Sequence, residues 1–201
     1  MILLCIVTIF SKSTTANADD RYVKLCERYF TEFAEDYGKF GQKDGFTYLY
    51  SDKKNTATIV AIPMEQKKVA VPGKINGKTV TKIELMDVFS CSSNYYFRDE
   101  FYGEHEDNPV PKVEYLSIPK TVKVINIYAG IGLTEGYCGE LQSYLVHLKK
   151  FNVASANKWY RSYKGMLYTK NGKKLLLVPR KYMAKTVKVK KGTTKIADSA
   201  F

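Results

Sequence analysis

The fold is decided by the stretch Val71-Pro72-Gly73-Lys74-Ile75-Asn76-Gly77-Lys78-Thr79-Val80-Thr81-Lys82-Ile83, because parts of it recur along the chain. Ile118-Pro119 leads to Val122-Lys123-Val124-Ile125, and Val189-Lys190 leads to Thr193-Thr194-Lys195-Ile196. The closing isoleucines recur at intervals of about 42 and 71 residues, close to two and three units of about 20–24 residues. A unit of this length cannot bury an apolar face alone, so the spacing predicts a stacked repeat solenoid.

Turn and strand signals fit this interpretation. The first copy is longer than the others by the segment Ile75-Asn76-Gly77-Lys78-Thr79, which predicts an inserted hairpin. Asn171-Gly172, between Leu167-Tyr168 and Leu175-Leu176-Leu177, predicts a two-residue type I′ hairpin with positive φ at both positions. The alternation in Thr186-Val187-Lys188-Val189-Lys190 predicts a strand with both valines inward and the lysines outward.

The repeats share one pattern. It runs from hydrophobic-x-Ile-Pro through a short turn to Val-Thr-x-Ile and then to Ala-Phe or Cys-Ser-Ser. This pattern resembles the BspA-like leucine-rich repeat of bacterial surface proteins. Ile75-Asn76-Gly77-Lys78 before Val80-Thr81-Lys82-Ile83 resembles an opening repeat, and residues 151–175 resemble a β-hairpin insertion. The resemblance covers residues 46–201, although segments 94–111 and 130–143 depart from the repeat pattern. It implies adhesion or protein–protein contact at the cell surface.

The N-terminal residues differ in character from the repeats. An apolar run from Ile2 to Phe10 and the tripeptide Ala16-Asn17-Ala18 predict a secretory signal peptide over residues 1–18, although no basic residue precedes the run. Apolar side chains at helical spacing predict an amphipathic helix over 19–37, within an N-terminal helix or cap of residues 19–45. Short β-branched or aromatic segments follow. They are 46–50, 56–62 and 67–71. The predicted fold class is α+β, mostly β.

Charge is strongly positive and dominated by lysine. The net charge is +12, and only five of the 32 basic residues are arginine. From Lys149 to the end, Asp198 is the sole acid. Lysine suits loose attraction of anions more than bidentate recognition of bases or phosphates, so we expect a surface protein or an anionic polysaccharide as partner and no nucleic acid. The candidate contact residues are Lys149, Lys150, Trp159, Arg161, Lys173, Lys174, Arg180, Lys181, Lys188 and Lys190.

The sequence contains no recognisable catalytic, cofactor or metal motif. The two histidines are far apart: His105 lies in an acidic segment, and His147, among apolar neighbours, is expected in a strand or the core. The glycines of residues 130–136 are misspaced for a dinucleotide-binding turn. Once a signal peptide is removed, three cysteines remain, which favours free thiols over a disulfide framework, with one disulfide left open. These cysteines are Cys26, Cys91 and Cys138.

The predicted function is therefore that of a secreted or cell-surface binding scaffold, not an enzyme. Two alternatives remain: a structural spacer within a wall-associated protein, and a glycan hydrolase that uses carboxylates such as Asp99, Glu100 and Glu106. The ending Ala197-Asp198-Ser199-Ala200-Phe201 resembles an unfinished repeat. We expect either a fragment of a longer array or an open C-terminal edge covered by a partner or by self-association.

Overall fold

The computed structural model describes residues 39–85, 110–126, 144–198 and 200–201. The predicted signal peptide and helix, the four cysteines, His105, the acidic segment and the glycines of 130–136 all lie outside these ranges. The elements with described bounds are all strands, which confirms the mostly β prediction for this part of the chain. They are β1 (Lys39–Lys43), β2 (Phe46–Ser51), β3 (Thr56–Ala61), β4 (Lys68–Ala70), β5 (Lys74–Ile75), β6 (Lys78–Ile83), β7 (Tyr115–Ile118), β8 (Val124–Ile125), β9 (Lys150–Val153), β10 (Tyr160–Tyr163), β11 (Met166–Thr169), β12 (Lys174–Leu177) and β13 (Lys195–Ile196).

The first strands form an antiparallel meander of β1, β2 and β3, which we call the first meander. Asp44 and Gly45 join β1 to β2 with φ angles of 52° and 78°, the positive values of a type I′ turn. Strand structure is therefore already present at Lys39, so the strands do not start at residue 46 as the sequence predicts. The sequence prediction overlooked that this two-residue turn pairs Lys43 with Phe46 and so carries the sheet back to Lys39.

Two parallel ladders form the centre of the fold, and the chain visits them alternately. One consists of β4, β7 and β9. The other consists of β3, β6 and β8. In the second ladder Ile59 pairs with Ile83, and Ile83 with Ile125, so the predicted equivalence of these two closing isoleucines is confirmed. Alternation between two parallel ladders is the winding that stacked repeats require.

The core lies between the ladders. Val69, Leu116 and Phe151 come from the first ladder and join Ile59 and Ile83 in one buried cluster. Since all of them are at most 2% exposed, each coil buries its apolar face against its neighbours. Burial of such side chains contributes about 1.5–3 kcal/mol each relative to exposure.

The inserted hairpin predicted in the first copy is confirmed. β5 and β6 are antiparallel, and Ile75 pairs with Lys78 across the turn Asn76-Gly77, whose φ angles are 44° and 77°. The Asn76 side-chain amide donates a hydrogen bond of 2.6 Å to the hydroxyl of Tyr48 in β2. The insertion is thus anchored to the first meander.

A second meander of β10, β11 and β12 follows β9, and β13 joins it in parallel. Its two-residue type I′ turn is Lys164-Gly165, with φ angles of 51° and 86°. The type I′ turn predicted at Asn171-Gly172 is wrong. Only Gly172 has a positive φ, whereas this turn needs a positive φ at both residues. Asn171 Oδ1 instead accepts hydrogen bonds from the Thr169 hydroxyl and the Lys173 N–H, which stabilises a longer loop.

The predicted strand over 186–190 is also wrong, since these residues form no strand and Val189 is 43% exposed. Only Val187 packs partly against the core. The physical reason is that the edge of β9 opposite β7 is already covered by the turn between β10 and β11. The Phe151 N–H donates to the Gly165 carbonyl at 2.8 Å, so the next segment finds no open edge beside β9.

Asn157 ties the second meander to the coil before it. Its side chain is fully buried and donates to the carbonyls of Pro119 and Val122, both at 2.9 Å. Its Oδ1 accepts from the N–H groups of Trp159 and Tyr160, both at 2.8 Å. A buried amide is stabilising when its hydrogen bonds are satisfied, as these are.

Candidate binding surface

The outward face of β4, β7 and β9 brings polar and charged side chains into register. Because successive side chains of a strand point to opposite faces, the residues beside the buried Val69, Leu116 and Phe151 face outward. The parallel register places Tyr115 next to Lys68 and Lys150. A second row lies two residues further along the strands. It consists of Ala70, Ser117 and Asn152.

A shallow depression of about 490 Å³ lies over these two rows and is lined by Lys68, Val69, Ala70, Tyr115, Ser117 and Asn152. We call this depression, together with the hollows that continue it at both ends, the sheet-face groove. The depression continues at both ends. Ser117 and Asn152 also line a hollow of about 310 Å³ that reaches Pro119 and Ala154. Tyr115 also lines a hollow of about 300 Å³ with Lys149, Lys150, Lys164, Tyr182, Met183 and Ala184. The groove therefore crosses all three strands and ends beside the second meander.

The groove is positively charged. No acidic residue occurs in β4, β7 or β9. Among the described residues, no carboxylate lies within ion-pair distance of Lys68, Lys150 or Lys164. The Lys68 ammonium lies 6.0 Å from the centre of the Tyr115 ring, within the range of a cation–π contact. Within the part of the chain that the structure describes, the groove thus presents three lysines without a carboxylate partner. Lys68 lies beside the half-buried Tyr115 ring, and the Lys164 ammonium lies 5.7 Å from the centre of the Tyr163 ring.

Lys149 differs from these lysines because Glu114 neutralises it. Their charged groups are 2.8 Å apart. The hydrogen bond from Lys149 lowers the pKa of the Glu114 carboxyl, and the same bond raises the pKa of the Lys149 ammonium. Glu114 immediately precedes β7, so this pair lies at the rim of the groove and leaves its floor to Lys68 and Lys150.

The structure does not gather the predicted contact residues into one patch. Lys149 and Lys150 line the groove. Lys173, Lys174 and Lys190 lie around Gly172, with Lys195 paired to Lys174. This second cluster is at the far end of β11 from the Lys164-Gly165 turn, about 13 Å away at the strand rise per residue. The remaining predicted residues are exposed; they are Trp159, Arg161, Arg180, Lys181 and Lys188. Of these, Lys181 lies beside the groove, because its N–H donates to the Leu148 carbonyl at 2.8 Å and the next residue, Tyr182, lines the groove.

Trp159 and Tyr160 have different environments. Trp159 is 38% exposed, and the Lys123 ammonium lies 5.6 Å from its ring centre. The Tyr160 hydroxyl accepts a hydrogen bond of 3.1 Å from the Ile125 N–H, which ties β10 to β8. Lys123, Trp159 and Arg161 therefore belong to a surface separate from the groove residues.

Sequence reasoning overlooked most of the groove. A signal was nevertheless present, because the aligned Val71-Pro72 and Ile118-Pro119 extend upstream into β4 and β7, and Val153-Ala154 follows β9 in the same way. Continuing the repeat alignment two or three residues upstream would have placed the outward residues side by side. Those missed are Lys68, Ala70, Tyr115, Ser117, Asn152, Lys164 and Tyr182.

His147 is exposed in a turn, so the prediction of a strand or core position is wrong. Leu145 and Leu148 fill the core, and the Leu148 N–H donates to the Leu145 carbonyl at 3.0 Å, which leaves His147 outside. Within the described ranges, no three His, Cys, Asp or Glu side chains cluster as a metal site would need. No helix in those ranges is long and apolar enough to cross a membrane.

Two solved structures are similar to this chain, whereas no family model and no curated protein matches it. A leucine-rich repeat protein from Eubacterium ventriosum is 21% identical, over 64% of this chain and 25% of that one, with a TM-score of 0.39. The pneumococcal vaccine antigen PcpA is 16% identical, over 82% of this chain and 62% of that one, with a TM-score of 0.33. This chain spans less than two thirds of either protein. TM-scores this low do not establish a shared fold, so the architecture rests on the strand registers described above.

Proposed function

We propose that this protein is an extracellular or surface-displayed binding scaffold of the leucine-rich-repeat type, of the BspA-like kind that its repeats resemble. Its partner docks on the sheet-face groove. The scaffold acts by complementarity of shape and charge over an extended face, without a chemical step.

The observation that carries the proposal is the register of β4, β7 and β9. It aligns Lys68, Tyr115 and Lys150 on a surface that the core does not need. Buried positions of a repeat are constrained by packing, whereas outward positions are free to recognise a partner. Solvated lysines scattered over a surface would not by themselves suggest a site. Here they flank an aromatic ring and line a continuous depression.

The groove favours a binding function over the two alternatives, a spacer module and a glycan hydrolase. A spacer module needs no concave polar surface with a half-buried ring. The carboxylates considered for a glycan hydrolase lie outside the described residues, and the groove strands themselves carry no acid. The groove as described therefore offers contacts for binding rather than a pair of catalytic carboxylates.

The test is retention of the full chain on intact bacterial and host epithelial cells, measured by flow cytometry. Ser117→Glu places a carboxylate at the centre of the groove on the middle strand, and Thr194→Glu adds the same side chain at the exposed residue before β13. We expect Ser117→Glu to reduce retention at least about tenfold, equivalent to about 1.4 kcal/mol. Thr194→Glu should bind like the wild type.

Circular dichroism must show that Ser117→Glu is folded, and Asn152→Glu on the adjacent strand is the second blocking variant. Wild-type levels of retention with a folded blocking variant would overturn the groove as the docking surface. Absence of wild-type retention on every surface would instead favour the spacer.

A further inference from the structure

The sheet-face groove offers a set of chemical groups that narrows the class of partner; this inference rests on the proposed function. Its central depression presents the ammonium group of Lys68, a hydroxyl from Ser117 and an amide from Asn152. Lys150, the neighbour of Tyr115 in the ladder, lines the hollow that continues the depression. The ring of Tyr115 lies between the two lysines. We propose that the groove binds an extended acidic polysaccharide, with Tyr115 as the platform for one sugar ring and Lys68 and Lys150 as contacts for its charged groups.

The spacing of the charges fits a ligand that lies across the strands. Lys68 and Lys150 are two strands apart in the ladder, which corresponds to about 10 Å between their backbones. Lys150 and Lys164 line the same hollow at the end of the groove, and the turn after Lys164 packs on Lys150, since a Cβ placed on Gly165 would lie 2.9 Å from Lys150 Cγ. The Lys164 ammonium lies 5.7 Å from the centre of the Tyr163 ring. The cations therefore follow one another across the face, as the charges of a repeating polyanion do.

The type of cation favours a polyanion that is held loosely. All three basic residues of the groove that lack a carboxylate partner are lysines, which act as hydrated point charges and lack the planar fork of arginine. A site for a single phosphate or carboxylate would gain most from bidentate arginine. Several spaced ammonium groups instead suit an anion whose charges are distributed along its length.

The uncharged groups favour a carbohydrate over an acidic polypeptide. The central strand of the floor, β7, is paired on both sides, so a peptide that lies in the middle of the groove could not pair with β7 as an added strand. The floor also lacks the deep apolar pocket in which protein partners anchor an aromatic or arginine side chain. A half-buried tyrosine ring with a neighbouring hydroxyl and amide matches a sugar, because the negative ring face attracts the polarised C–H groups of a sugar ring.

The experiment measures binding of the full chain to polygalacturonate and heparin oligosaccharides by calorimetry, with polyglutamate and neutral dextran as reference polymers. Lys68→Glu with Lys150→Glu reverses two groove charges. Lys173→Glu with Lys195→Glu makes the same change of charge at the other lysine cluster, so it is the matched control. We expect the groove pair to weaken polysaccharide binding at least about tenfold and to reduce its salt dependence. The control pair should change binding less than about threefold.

Substitutions of Tyr115 test the contact between the tyrosine ring and the sugar, which the charge-reversed variants do not test. Tyr115→Ala should weaken binding about fivefold to tenfold while leaving the salt dependence unchanged, since stacking is not screened by ions. Tyr115→Phe keeps the ring and should bind like the wild type. Polyglutamate should bind more weakly and should be indifferent to Tyr115→Ala.

Four results would overturn the inference. Equal losses of binding in the two charge-reversed pairs would mean diffuse electrostatic attraction. Polyglutamate binding that equals polysaccharide binding and depends on Tyr115 would mean that the ligand is an acidic polypeptide. Absence of polysaccharide binding, with cell retention still blocked by Ser117→Glu, would remove the polysaccharide and leave the binding scaffold intact. Absence of both polysaccharide binding and cell retention would remove the proposed function as well.

Discussion

The two meanders share the same design, although their sequences are little alike. In each, a two-residue type I′ turn joins the first two strands, and the register shifts at one position between the second and third strands. Tyr48 pairs with Ile59 in the first meander, and Tyr168 pairs with Leu175 in the second. A fourth strand then joins in parallel, β6 in the first case and β13 in the second. The second meander is therefore a structural copy of the first.

The copies differ in what covers the fourth strand. Ile83 of β6 lies between Ile59 and Ile125 of neighbouring strands and is 1% exposed. Ile196 of β13 pairs with Leu175 on one side and is 50% exposed. The residues before each isoleucine are nearly the same, Val-Thr-Lys and Thr-Thr-Lys. The local sequence thus determines the strand, whereas the neighbouring coil determines its burial.

The largest expected effect tests this difference directly. Ile83→Ala should cost about 2–5 kcal/mol of unfolding free energy, because it removes a fully packed side chain and leaves a cavity. Ile196→Ala should cost less than about 1 kcal/mol, since the side chain is half in water. Urea unfolding of the full chain measures both. Equal losses would show that β13 is as well covered as β6 and would break the comparison.

A smaller effect separates the two tyrosines. The Tyr168 hydroxyl accepts a hydrogen bond of 3.1 Å from the backbone N–H of Lys190, whereas the Tyr48 hydroxyl accepts one from the exposed side chain of Asn76. Tyr168→Phe should cost about 1–2 kcal/mol because a backbone donor loses its partner. Tyr48→Phe should cost less than about 1 kcal/mol, because Asn76 can turn to water. Thermal unfolding measures both variants, and a larger loss at Tyr48 would reverse the assignment.

The repeats could be predicted because their signal is periodic. Ile83 and Ile125 are the same residue in the same ladder position, and Asn76-Gly77 is a strong turn signal on its own. The turn at Asn171-Gly172 was mispredicted because side-chain hydrogen bonds from neighbouring residues competed with the dipeptide preference. Such competition cannot be judged from the dipeptide alone.

The groove was harder to predict for a different reason. Its outward positions hold lysine, tyrosine and lysine in one row and alanine, serine and asparagine in the other, so neither row repeats one residue type across all three strands. Burial selects similar residues at each repeat, whereas recognition selects different ones. Lys149 and Lys150 were found from charge alone, and their grouping with Tyr115 required the strand register.

The smallest effect concerns Asp52, a charged anchor that belongs to the first meander alone, since residues 160–177 contain no acid. Hydrogen bonds from Lys39 and Lys78, at 2.8 and 2.7 Å, lower the pKa of the Asp52 carboxyl to about 2 from its usual 3.8. A lowered folded-state pKa means that the stabilisation is complete above about pH 4 and is lost as the pH falls toward 2.

Thermal midpoints of the wild type and Asp52→Asn should therefore differ at pH 5 and converge near pH 2. The difference should be small and should shrink in high salt, because the pair is exposed. Two curves that stay parallel throughout this range would mean that the ion pairs do not stabilise the first meander, and its stability would then rest, like that of the second, on packing alone.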